Sequence, residues 1–154
     1  MNKPINAFEV VSSTDNPFPK VFHEKMGDSE WRGLSDNFGL SQFGTNIEVI
    51  RPSGSSGLKH RHTKSEEFIY ILSGELILEY GDEIYPMSAG MCIGFKANEA
   101  LGHRLINRSN ENAKFLVVGS RIEGDKVDNV EDDMQWIVKE NGDWVAAKKT
   151  GELY

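Results

Sequence analysis

A chain of 154 residues holds one domain, and at this size folding hides roughly 70% of the extended chain's surface, enough for a real core. With 38% hydrophobic and 10% aromatic residues, the composition excludes wholesale disorder. A formal net charge of −7 with no basic block argues against nucleic acid or an anionic membrane surface as partner.

The start of the chain, MNKPINAFEV, lacks the apolar core of a leader peptide, and no apolar run is long enough to span a bilayer. The expectation is a soluble, cytoplasmic chain. INAFEVV reads as an edge strand. Pro17, Pro19, Gly27, Gly33, Gly39 and Gly44 then break any helical period. Residues 1–44 are expected to form an arm with one or two short strands packed over the main body. No helix-turn-helix pattern is present. His23, in VFHEK, is expected to be structural or on the surface.

From residue 45 the texture changes. TNIEVIR alternates polar and apolar residues, and EEFIYIL and ELILEY flank Ser73-Gly74, a hairpin signal. EIYPM follows a second turn at Gly81-Asp82, and MCIGF, HRLINRS and AKFLVVGS complete the series. Short strands at this spacing, without alternating helices, predict an all-β antiparallel sandwich or barrel. In EEFIYIL, Phe68 and Tyr70 alternate with Ile69 and Ile71, which predicts a strand covered on both faces: one set lines the barrel and the other meets the arm or a second subunit. The single cysteine, Cys92, excludes an intrachain disulfide; in MCIGF it is expected to be a buried, inert thiol.

After residue 120 an acidic loop precedes MQWIVK and DWVAAKK, separated by Glu140-Asn141-Gly142. A C-terminal hairpin is expected, with a short helix over NVEDDMQ as the alternative. Trp31, Trp136 and Trp144 are expected to anchor arm and tail. The run Glu131-Asp132-Asp133 lacks the spaced oxygens and glycine of a calcium loop. Neither a phosphate-cradling glycine loop nor a nucleophile elbow is present.

The chemistry concentrates in GSSGLKHRHTKSEEFIYILSG, residues 54–74. On a strand His60 and His62 project from one face, which suits two imidazoles on one ion. A carboxylate beyond a turn can return to the same centre, and His103 opens a later strand. Three imidazoles and a carboxylate suit a divalent transition ion: Fe, Mn, Ni, Cu or Zn. An H-x-H pair by itself is also common on exposed strand faces, so the residues alone leave both readings open.

The spacing of the whole stretch resembles the first motif of the cupin superfamily, G-x5-H-x-H-x3,4-E-x6-G, met here by Gly54, His60, His62, Glu67 and Gly74. The second motif, G-x5-P-x-G-x2-H-x3-N, is approached from Gly81 to His103 and Asn107. Its P-x-G step appears as Lys96-Ala97-Asn98, followed by four residues before His103. Asn98 can take the left-handed conformation a glycine would supply. The flanking segments are similar to those of small, single-domain bacterial cupins. The resemblance implies a double-stranded β-helix (jelly-roll) barrel in a single domain: arm 1–44, barrel core 45–120, C-terminal extension with hairpin 121–154. It implies His60, His62, Glu67 and His103 as metal ligands and Asn107 as a structural residue. It also implies a homodimer that binds a small molecule in its barrel. Metal-dependent oxygenase, isomerase and lyase reactions all fit, with Glu67 able to leave the ion and act as a base; a non-catalytic binder or sensor is the alternative. No catalytic residue is singled out.

Overall fold

The computed structural model describes residues 2–139 and 141–154, which fold almost wholly as strands and turns. The first segment departs from the expected edge strand. Asn6 accepts from the Phe8 amide at 3.1 Å and donates to Glu9 at 3.0 Å, so a 3-10 turn forms over Ala7–Glu9. A side chain that bonds its own backbone two residues on competes with strand pairing. A second 3-10 turn, Lys20–Lys25, carries Phe22 inward.

Twelve strands follow: β1 (Ser29–Gly33), β2 (Phe43–Ile50), β3 (His60–His62), β4 (Glu67–Ser73), β5 (Glu75–Tyr80), β6 (Glu83–Ser88), β7 (Cys92–Phe95), β8 (His103–Ile106), β9 (Ala113–Ser120), β10 (Val127–Asn129), β11 (Met134–Val138) and β12 (Trp144–Ala147). They form two antiparallel sheets, ordered β1-β2-β9-β4-β7 and β12-β11-β10-β3-β8-β5-β6. One apolar cluster draws Ile50, Ile71 and Phe115 from the first sheet and Leu76, Leu78 and Leu105 from the second. The sheets therefore face each other as a jelly-roll barrel, and each of these fully buried side chains contributes about 1.5–3 kcal/mol.

Ser73-Gly74 is not a hairpin. β4 pairs with β7 and β9, whereas β5 pairs with β6 and β8, so the chain turns a corner between sheets there. Gly74 makes the corner possible: its φ is +78°, and a Cβ would lie 2.8 Å from the Ala113 Cα. Gly81-Asp82 does join a hairpin, β5 to β6.

The outer face of the five-stranded sheet explains a second correction. Tyr70 pairs with Cys92 across β4 and β7, and Cys92 is exposed rather than buried. Ile69 and Ile71 fill the barrel, while Phe68 and Tyr70 stand 42% and 38% exposed on the outside. The short apolar run around Cys92 hides a two-faced strand.

The segment before β1 docks on the C-terminal strands. Phe22, Met26, Leu58 and Met134 form a second apolar cluster, joined by Phe18 and Trp136, whose rings meet edge to face at 5.3 Å. His23 is structural, with Nε2 2.7 Å from the Phe18 carbonyl. β11 and β12 make the expected hairpin, although Glu140 in its turn lies outside the described residues. Residues 130–133 are turn, not helix. Among the described residues no helix is long and apolar enough to cross a membrane.

Candidate metal centre

β3 is only three residues long, held between β8 and β10. Alternation points His60 and His62 to one face, and Arg61 to the other, where it bonds Asp128. His60 stands directly opposite His103 on β8, and their ring centroids are 4.6 Å apart. Glu67 enters from the other sheet as the first residue of β4, in register with Phe95 and Gly119.

The three imidazoles converge on this carboxylate. The Nε2 atoms of His60 and His62 lie 4.0 and 3.7 Å from Glu67 Oε2, and His103 Nε2 lies 3.0 Å from Oε1. His60, His62 and Glu67 each offer a ligand atom within 4.8 Å of the others. His103 is not part of that tightest group, although its Nε2 meets Glu67 Oε1. Its ring is turned toward the cluster, 3% exposed, and stacked on Phe95 at 3.5 Å with an interplanar angle of 1°.

The far nitrogens are held as well. His60 Nδ1 lies 2.9 Å from the Leu58 carbonyl, and His62 Nδ1 lies 2.7 Å from Asp125 Oδ2. Each contact places the proton on Nδ1 and leaves an Nε2 lone pair facing inward. Asp125 is 2% exposed and is fixed in turn by the Lys64 amide at 2.7 Å and the Thr63 hydroxyl at 3.1 Å. Nothing local in the sequence marked it, because it lies 63 residues from His62.

Protonation states fit a cation. Burial first, and then the neighbouring His103, lower His60 to about 4, so its imidazole is neutral near pH 7. Burial would raise Glu67, but the His103 hydrogen bond and the three imidazoles outweigh it and hold the carboxyl down to about 2. A neutral His60 imidazole and an ionised Glu67 carboxylate are forms that bind metal. The donor set thus fits a divalent transition ion.

The loop carrying His103 is anchored at its start. Asn98 has φ +58°, the left-handed conformation expected of it, and its amide donates to the His62 carbonyl at 2.9 Å. Asn107 is fully buried and structural: its amide donates to the Ile50 and Glu111 carbonyls at 2.8 and 2.7 Å. A pocket of about 10 Å³, room for one water, lies over the cluster between Ser65, Lys96, Glu99 and Leu101.

A second carboxyl was missed from the sequence. Glu48 on β2 stands opposite Phe115, a core residue, so it projects into the barrel. The alternation of TNIEVIR suggested the reverse, but Ile47 and Val49 on the other face are also buried, at 4% and 5% exposed. Burial, and then the Glu67 carboxylate, push Glu48 up to about 8.

A family model described as the cupin domain matches residues 46–119. Among curated proteins, no sequence match reaches significance. The fold is similar to that of a Silicibacter pomeroyi protein described as a sugar phosphate isomerase of the cupin superfamily: 28% identity over 99% of this chain and 96% of that one, with a TM-score of 0.90. A putative sugar phosphate isomerase from Acidithiobacillus ferrooxidans shares 29% identity over 80% of this chain and 78% of that one, with a TM-score of 0.71. A polyketide cyclase from Streptomyces resistomycificus shares the fold at 21% identity, covering 84% of this chain and 86% of that one, with a TM-score of 0.66.

Proposed function

Because this chain belongs to the cupin superfamily, we propose that it is a metal-dependent isomerase of a small phosphorylated sugar, with His60, His62, Glu67 and His103 as the metal-binding side chains. The observation that carries the reading is the convergence of three Nε2 atoms on one ionised carboxylate, with the far nitrogens of His60 and His62 already bonded. Two neighbours with 28% and 29% identity, one described as a sugar phosphate isomerase and the other as a putative one, favour isomerisation over the oxygenase and lyase alternatives.

Aldose–ketose isomerisation moves one proton from C2 to C1 and another from the C2 hydroxyl to the C1 oxygen, with no net change in composition. A bound divalent ion supplies Lewis-acid polarisation of the carbonyl and hydroxyl oxygens. The chain's own part is orientation and exclusion of water. Asp125 and the Leu58 carbonyl fix the two imidazoles of β3, and Phe95 holds the His103 ring flat against the barrel wall. The exposed outer face, with Phe43, Phe68 and Val118 around one hollow, supports the reading that the chain works as a homodimer. Light scattering reads that state directly.

The test is elemental analysis of untagged protein together with an interconversion assay on a panel of aldopentose and aldohexose phosphates. Stoichiometric metal, activity lost on chelation and restored by a divalent ion, and no activity in His60→Ala are expected. Protein that takes up no metal, or loaded protein that interconverts none of the panel, refutes the proposal.

A further inference from the structure

A cavity of ligand size lies away from the histidines. It has a volume of about 680 Å³ and lies between the N-terminal arm and the β1–β2 edge of the barrel. That is within the usual range for a small-molecule site, roughly 300–1,000 Å³. Its walls differ in kind from an ordinary packing gap. Trp31 of β1 and Glu48 of β2 are direct cross-strand partners on the barrel-facing side, and Asn46 is two residues from Glu48 on that same side. Arg51 and Ser56 complete this wall, and Asp15, His23 and Asp28 come from the arm.

Glu48 is the link to the histidine cluster. It lines the cavity and projects into the barrel from β2, as Glu67 does from β4. Among the described residues its carboxyl makes no hydrogen bond, although every other inward-facing carboxyl discussed above is bonded. Its oxygens keep contact with solvent, and a ligand seated in the cavity exchanges that water for direct hydrogen bonds.

We propose that this cavity seats the sugar portion of a phosphorylated ligand, with Trp31 as a platform for its C–H face, Asn46 and Glu48 as hydrogen-bonding partners of its hydroxyls, and Arg51 as the counter-charge of its anionic group. The chemistry of the wall selects this class. An aromatic face beside amide and carboxyl groups matches a polyol, whose surface alternates apolar and hydroxyl patches. Arg51 is half exposed and its nearest carboxylate oxygen, on Glu30, is 3.9 Å away, so its guanidinium is available for an anion. The proposal rests on the sugar phosphate reading above and adds the seat and the residues that recognise it.

The experiment measures binding by calorimetry and turnover by assay on metal-loaded wild type, Glu48→Leu, Glu48→Gln and Trp31→Ala, using the same sugar phosphate panel. Metal content and melting temperature are recorded for each. Glu48→Leu and Trp31→Ala are expected to raise KM and the dissociation constant about tenfold or more, the scale of one lost ligand contact. Metal content should stay at the wild-type value. Glu48→Gln keeps the shape and a hydrogen-bonding oxygen and should recover most of the loss. If Glu48→Leu and Trp31→Ala are folded, metal-loaded and bind as wild type does, the cavity is not the seat, while the isomerase reading stands. If wild type neither binds nor converts any compound of the panel, both fall together.

Discussion

Replacing Glu48 by glutamine removes one ionisable group from the barrel while keeping its shape. In the unfolded chain a glutamate ionises near 4.5, and in the folded barrel this one is pushed up to about 8. Between those values the folded state holds a proton that the unfolded state has released, so stability must fall as pH rises. The full gap, at about 1.4 kcal/mol per tenfold, sets an upper bound. Because the side chain keeps some contact with the cavity's solvent, we take on the order of 3 kcal/mol. The stability difference between E48Q and wild type should be near zero at pH 4.5, grow through neutrality, and level off above about pH 8. At the plateau the variant should melt roughly 6–12 °C higher, from about 2–4 °C per kcal/mol for a chain of this size. Paired thermal scans by circular dichroism from pH 5 to pH 9 read it. A melting difference that is flat with pH, or that favours wild type more as pH rises, refutes the burial of an unpaired carboxyl at this position.

Asp125→Asn keeps an acceptor for the Lys64 amide but sets an amide against His62 Nδ1, so metal affinity should fall about 10–100-fold; an unchanged affinity by competition titration would show that Asp125 does not orient His62. Asp125 is also held down to about 2, where burial opposes the shift and the bond from His62 drives it. Its contribution to stability is present above about 4 and is lost as pH falls through 2, which acid denaturation of wild type against the Asn variant measures. Gly74→Ala should cost about 2–4 kcal/mol in urea unfolding, because it forces a Cβ into the left-handed region and within 2.8 Å of the Ala113 backbone. A cost under about 0.5 kcal/mol would mean the corner relaxes freely.

Much of the site was legible because its geometry is local. Two histidines two apart on a strand must share a face, and a glutamate after a turn can return to them; the folded chain shows both. Asn98 was readable for the same reason, since few residues tolerate its conformation. What the sequence hid depends on contacts between distant segments. Ser73-Gly74 looks like a hairpin because turn chemistry does not say which sheet the next strand joins. Cys92 was misplaced because the exposed outer face of its sheet carries apolar side chains, which erases the alternation, and Glu48 was missed because period-two alternation identifies the inner face only when the outer face is wet. On β2 both faces are buried, and the polar residues are the ones inside. Asp125 carries no local signal, because its partner is chosen by the β3–β10 pairing.

The loop between β7 and β8 is tied down along its length. The Asn98 amide donates to the His62 carbonyl, Arg61 Nη1 of β3 donates to the Glu99 and Ala100 carbonyls, and the Gly81 amide donates to the Gly102 carbonyl. A Cβ on Gly102 would lie 2.6 Å from Val130 Cγ2, so that position has no room for a side chain. The mouth over the cluster and the strand that carries His60 and His62 therefore behave as one rigid piece. A change in the backbone of the mouth pulls on the imidazoles beneath it, and redesign of the rim has to keep residues 98–102 and work from side chains that point away from β3.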